Sequence, residues 1–477
     1  MSVDSSTFIE ASSWRALLRK GRLLQLMLLC LGVWLNAADT LVTATIMPSI
    51  VRDIGGYAYF AWPVAVYLLG AIVAGASAGR LSEIAGLRPA LIGASLVYAA
   101  GCVVGALSSS IEVFLLGRLL QGVGAGWVGG LVYVVVNMAF PRGLWTRVLA
   151  VISGVWGVAM LLGPAFGGFF AELGQWRMAY WVFAGQAAFF AFAALALVPK
   201  GKPVAPESKF PLARLALLGA AILLIADAGT HGGLGLSATL LGCGLALLAV
   251  FLRIDARSTH SLLPRQLAAI GAVSGAGYRM MFFANASTIG FSVYGAALMQ
   301  SLYSLSPLEA GYVISAQAAA WTISAVIVAG VNERWHGLFI RTGSSSILLG
   351  LIALAFAFPS GHISYVVAAA LVMGSGFGQC WAFTTHRIFA SLPPQGAASG
   401  SSAVLAVQLV GNAVGAAIAG AAANLLGMTD GLTMADAMRI GHWLFLITAP
   451  IALAAWVSAQ FVARMTADAQ PKTRNAA

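Results

Sequence analysis

Fourteen apolar runs follow one another along this chain, at roughly 23–47, 58–79, 89–108, 111–135, 146–171, 178–198, 212–229, 234–252, 276–302, 308–331, 342–359, 363–385, 398–425 and 437–464. About 20 apolar residues are what one helix needs to cross the hydrocarbon core of a bilayer. The runs are continuous and do not alternate in segments of about ten residues, which argues against a membrane β-barrel. Charged residues make up only 9% of the chain and apolar ones 60%. A soluble domain carries about 25% charge, so this chain could not cover a water-facing surface. The 55 glycines suit helices that pack closely in lipid. The expected fold class is an all-α polytopic membrane protein.

The basic residues test that reading. With the N-terminus placed in the cytoplasm, 22 of the 26 Lys and Arg fall in cytoplasmic segments. Only Arg52, Arg177 and Arg439 fall outside, and Arg118 lies within a span. Such asymmetry is the positive-inside signature. The net charge of +11 therefore reports orientation in a lipid bilayer and not a nucleic-acid partner. The first twenty residues show no small-residue cleavage site, and the first run is too long for a signal peptide, so it is expected to stay. Cys30, Cys102, Cys243 and Cys380 lie far apart in apolar runs and read as small packing residues. No metal site is expected.

Three short matches recur in order at nearly one offset. "NAADTLVTA" at Asn36 faces "NASTIGFSV" at Asn285, "GVGAG" at Gly122 faces "GSGFG" at Gly374, and "GPAFG" at Gly163 faces "GNAVG" at Gly411. They predict two parallel six-helix halves. The expected division is a cytoplasmic tail 1–22, a bundle 23–198, a linker with an inserted two-helix hairpin 199–275, a bundle 276–464 and a cytoplasmic tail 465–477. Parallel halves around a midplane site are a transporter architecture. No GxxxxGK[ST] loop for ATP is present, so any pumping must draw on an ion gradient.

One acid sits where lipid should exclude it. Asp39 lies in "CLGVWLNAADTLVTATIMP", with Asn36 and Thr43 on the same helical face. Its insertion costs about 2.5–3.5 kcal/mol, which marks a functional residue. Burial favours the neutral form of a carboxylate, so Asp39 is the expected proton-coupling site, with Asn36 and Thr43 supporting it by hydrogen bonds. Arg118 and Gln121, in "RLLQGVGAGWVGG", share a face of the fourth run, and a lone intramembrane arginine needs an acceptor. Asp227, beside His231, is a second acid, read as interfacial. Gln408 and Asn412 share a face at i, i+4 and should point inward. Trp62, Trp127, Trp156, Tyr294 and Trp321 are candidate pocket-wall aromatics. Arg279, His386 and Arg387 would suit anionic groups or a cytoplasmic boundary. No catalytic residues are identified: there is no HExxH and no close Asp/His cluster at a membrane face, which argues against an embedded enzyme.

"GRLSEIAGLRPALIG" joins the second and third runs, with Gly79 and Gly86 for a tight turn and Glu83 and Arg88 as a charge pair. It resembles the cytoplasmic gate loop of the major facilitator superfamily, matching at Gly79, Leu81, Gly86 and Arg88. Glu83 replaces the usual aspartate, and Leu87 stands where a basic residue is usual. "RLLQGVGAG" resembles the family's fourth-helix motif, whose arginine is linked to proton transfer. "GVWGVAMLLGPAFGGFF" carries Gly154, Gly157, Gly163, Pro164, Gly167 and Gly168 and resembles the fifth-helix motif of its exporters. "WRMAYWVF" at Trp176 and "LSPLEAGYVIS" at Leu305 resemble further segments of the fourteen-helix drug:proton antiporter branch. The resemblance covers nearly the whole chain. It implies a monomeric, cofactor-free, proton-coupled exporter of amphipathic or drug-like small molecules in a cell membrane. The alternative on the same fold is an exporter of one endogenous metabolite or organic anion.

Overall fold

A computed structural model describes residues 20–141, 144–198, 211–228, 230, 234–258, 272–391, 397–429 and 431–464. The tails, the polar linker 199–210 and His231 lie outside the described residues. Those described form fourteen α-helices and no strand. They are α1 (Lys20–Ile54), α2 (Trp62–Ala85), α3 (Leu87–Ala106), α4 (Ile111–Ala139), α5 (Trp145–Glu172), α6 (Trp176–Leu197) and α7 (Leu212–Asp227). Then come α8 (Leu234–Arg257), α9 (Val273–Tyr303), α10 (Pro307–Val328), α11 (His336–Ala357), α12 (Ile363–Ala390), α13 (Ala397–Ala423) and α14 (Met434–Arg464). Each expected span corresponds to one helix. Thirteen described helices are long and apolar enough to cross a membrane. The exception is α7, whose 16 residues reach about 24 Å at 1.5 Å per residue, short of a core of about 30 Å.

Local chemistry sets the breaks. Between α2 and α3 the chain turns on Gly86 alone, at φ 83°, a conformation glycine adopts without steric cost. Gly79, also expected to make this turn, lies within α2 with open space around it. α10 opens on a capping box: the Ser306 amide donates to Glu309 Oε2 at 2.8 Å, and the Glu309 amide donates to Ser306 Oγ at 3.2 Å.

By backbone contacts the chain divides into two compact units, Met1–Leu215 with Ser306–Tyr312, and Ala216–Leu305 with Val313–Ala477. Within the first, α4 packs on α2 and α3, α1 on α5 and α6, and α3 on α6. Within the second, α12 packs on α11, and α9 on α13 and α14.

The repeated glycines occupy matching seams in the two units. A Cβ on Gly122 or Gly126 would overlap the carbonyl oxygens of Tyr67 and Ala71 on α2, and one on Gly124 would overlap Tyr98 on α3. In the second unit Gly374 and Gly378 meet Gln317 and Trp321 on α10, and Gly376 meets Gly343 on α11. Gly163 and Gly167 press on Ala38, Leu41 and Val42 of α1, as Gly411 and Gly415 press on Phe282, Asn285 and Ala286 of α9. The internal repeat is thus a repeat of backbone-to-backbone contact, which small residues permit.

Candidate functional site

The seams of α4 bring α2 and α3 close enough to seal its polar residues. Arg118 and Asp39 are both 0% exposed, and Arg118 Nη1 lies 2.7 Å from Asp39 Oδ2. The same Nη1 donates to Gln121 Oε1 at 3.0 Å, while Arg118 Nε donates to the Pro63 carbonyl at 3.3 Å. Gln121 Nε2 donates to Asp39 Oδ1 at 3.4 Å and to Cys102 Sγ at 3.1 Å. Arg118 Nη2 is buried without a hydrogen-bond partner among the described residues. The guanidinium carbon sits 4.4 Å from the centroid of the Tyr67 ring, a cation–π arrangement. The acceptor that a membrane arginine requires is therefore Asp39, 79 residues away.

Three buried tyrosines surround the pair and hold α1 on either side of Asp39. Tyr67 Oη donates to Asn36 Oδ1 at 2.9 Å, and Tyr98 Oη donates to the Leu35 carbonyl at 3.0 Å. One turn beyond Asp39, Thr43 Oγ1 and Tyr180 Oη lie 2.9 Å apart. Asn36 and Thr43 were expected to bond Asp39 itself. Instead they bond tyrosines of α2 and α6, because Arg118 and Gln121 occupy the carboxylate. The tyrosines and Cys102 carry no spacing that ties them to Asp39. Their only sequence signal is that a buried phenol needs a partner.

The other expected residues divide. Trp127 is half-buried on α4 and donates from Nε1 to Ser77 Oγ at 2.8 Å. Trp321 stacks on Phe377 at 4.9 Å and touches Trp381 at 5.6 Å, forming an aromatic platform in the second unit. Gln408 and Asn412 are half-buried on α13. Trp62 stands at the start of α2, edge-on to Tyr59 and one residue before Pro63, whose carbonyl accepts from Arg118. Trp156 is 40% exposed, and Tyr294 is sealed at 0%, so Tyr294 walls no open pocket. On α5, Gly163 and Gly167 form the seam with α1, the helix-internal Pro164 faces Gly311 at the start of α10, and a Cβ on Gly154 or Gly157 would meet nothing within 4 Å. Gly168 faces Leu308, in the segment grouped with the first unit.

One charge assignment changes. Arg88 does not pair with Glu83; its Nε donates to the Val198 carbonyl at 2.7 Å, capping the C-terminus of α6. Arg387 donates from Nη1 to the Val462 carbonyl in the last turn of α14. Asp227 accepts from Thr230 Oγ1 at 2.9 Å, as an end-of-helix acid does. In the first turn of α6, Arg177 pairs with Asp53 at the end of α1 and donates from Nη2 to the Ser108 carbonyl at 2.9 Å. Trp176 Nε1 donates to the same Asp53 oxygen at 3.1 Å. The Trp-Arg motif thus ties together the ends of α1, α3 and α6.

An all-α polytopic membrane fold, repeated in two units and holding a sealed ion pair in its first, defines a transporter-class protein. The sequence model of the Major Facilitator Superfamily matches residues 29–416, and the chain belongs to that family. It is 33% identical over 433 residues to a protein of Mycobacterium tuberculosis called a probable multidrug-efflux transporter, across 88% of this chain and 91% of that one. Among solved structures, a bacterial homologue of the human lysosomal transporter Spinster matches with TM-score 0.66 at 13% identity, over 93% of this chain and 97% of that one. A D-xylose-proton symporter matches with TM-score 0.60 at 16% identity, over 89% and 96%.

Proposed function

We propose that the protein is a proton-coupled exporter of amphipathic or drug-like small molecules, working by alternating access in a cell membrane with both termini cytoplasmic. It acts as a monomer and draws its energy from the proton gradient without a cofactor. The observation that carries this reading is the Asp39–Arg118 pair, sealed from solvent between α1 and α4. A buried ion pair is balanced only while both partners are charged. Protonation of Asp39 removes the charge that holds Arg118, and loss of the proton restores it. Binding and release of one proton therefore switch the α1–α4 contact between two energies. The relative called a probable multidrug-efflux transporter supports the direction and cargo class.

The test is dye efflux from proteoliposomes under an imposed pH gradient, comparing the wild type with Asp39→Asn. Gradient-driven efflux that disappears in the variant, at normal expression, is the expected result. Equal transport by both would make Asp39 structural. A wild type that moves no lipophilic dye would end the drug-export reading and favour export of a single metabolite.

A further inference from the structure

Tyr67 touches the ion pair at one end and Asn36 at the other. Its ring face receives the Arg118 guanidinium, and its hydroxyl donates to Asn36 Oδ1. The Tyr67 backbone lies so close to Gly122 that an added Cβ there would overlap its carbonyl. Asp39 is sealed, but Asn36, three residues earlier on α1, remains part-exposed. Its Oδ1 is taken by Tyr67, and its Nδ2 has no hydrogen-bond partner among the described residues. Gly129 of α4 lies beside that amide: a methyl there would sit 3.6 Å from Nδ2 and within 4 Å of nothing else. A polar donor left open in a membrane helix calls for a partner.

We propose that Asn36 is a cargo contact that donates from Nδ2 to an uncharged acceptor oxygen, and that Tyr67 is the positioning residue that relays the state of the Asp39–Arg118 pair to it. The inference rests on the proton-coupled reading above. When Asp39 is neutral, Arg118 keeps its charge and loses its counter-charge, and the Tyr67 ring is the nearest electron-rich face left to it. The guanidinium then draws on the ring, and the rigid phenol carries that shift to the Asn36 amide. The charged and titratable groups facing this relay are Asp39 on α1, Arg118 on α4, Tyr98 and Cys102 on α3, and Tyr180 on α6. Among them, Asp39 and Arg118 are the two whose charges oppose each other directly.

The cargo class follows from the donor. An amide N–H selects carbonyl, ester or ether oxygen and gives no advantage to a cation without one. Rhodamine 6G, which carries ester and ether oxygens, and ethidium, which carries no oxygen, are the probes. In proteoliposomes, Asn36→Ala is expected to raise the apparent KM for rhodamine 6G about tenfold and leave that for ethidium within about twofold. Gly129→Ala, which covers the amide without removing it, should shift rhodamine 6G in the same direction. Tyr67→Phe keeps the ring and loses the hydroxyl. It should flatten the pH dependence of the KM for rhodamine 6G measured in gradient-free counterflow. A shift common to both dyes, or none, in Asn36→Ala and Gly129→Ala would overturn the cargo contact. A wild-type pH profile in Tyr67→Phe would overturn the relay. Failure of the wild type to move either dye would overturn the export reading and this inference with it.

Discussion

Arg118 Nη1 lies 2.7 Å from Asp39 Oδ2, and neither side chain is exposed. Removing one partner strands the other's charge in the interior, at a cost of about 3–5 kcal/mol. Arg118→Leu should therefore lower the unfolding temperature of the purified protein sharply. The double variant Asp39→Asn with Arg118→Leu should recover most of that loss while remaining without gradient-driven transport. A double variant no more stable than the single one would mean that the two charges are not energetically coupled.

The glycine seams predict opposite outcomes for the same substitution. In Gly122→Ala the new Cβ meets the Tyr67 carbonyl carbon at 2.8 Å and its Cα at 3.0 Å, backbone that cannot yield. A loss of about 1–3 kcal/mol or more is expected from such overpacking. Gly154→Ala enters open space and should gain about 0.5–1 kcal/mol from helix propensity. Thermal unfolding of the two variants side by side is the measurement.

Arg88 caps α6 from the start of α3. Arg88→Ala should cost about 1 kcal/mol and speed amide exchange in the last turn of α6, around Ala194–Val198. Arg88→Lys should not restore protection, since the bond is made by the guanidinium Nε at a fixed angle. Glu83→Gln should leave that exchange unchanged.

At the opposite membrane face, the Asp53–Arg177 pair is partly open to water, with side chains 47% and 38% exposed. Its coupling in a double-mutant cycle should stay below about 1 kcal/mol and shrink further in high salt. The Trp176 bond to Asp53 should persist in Arg177→Ala, leaving tryptophan fluorescence of that region close to the wild type.

Much of this arrangement was legible in the sequence. Span positions followed from apolar runs, because each run long enough to cross lipid becomes a helix. The glycine content pointed to close helix packing, but which helices meet at the repeated glycines was shown only by the fold. Asp39 and Arg118 were each conspicuous as charges where lipid forbids them, yet their pairing was not, since 79 residues separate them and no periodicity bridges helices. For the same reason Tyr67, Tyr98 and Tyr180 went unmarked. A tyrosine in an apolar run looks like any aromatic until the carbonyl or amide it bonds is known. Arg88 was assigned a neighbouring acid because sequence shows nearby charges and hides the open carbonyls at a distant helix end.

The matched seams carry one more consequence. At the offsets of the repeat, Thr288 stands where the first unit has Asp39, Ala370 where it has Arg118, and Gln317 where it has Tyr67. Thr288 satisfies its hydroxyl on its own helix, at the Ala284 carbonyl. Of the two copies, only the first carries an acid and an arginine at these positions. If that pair drives transport as proposed, substitutions in α9–α14 that stay clear of the glycine seams should leave the coupling intact, whatever they do to the cargo.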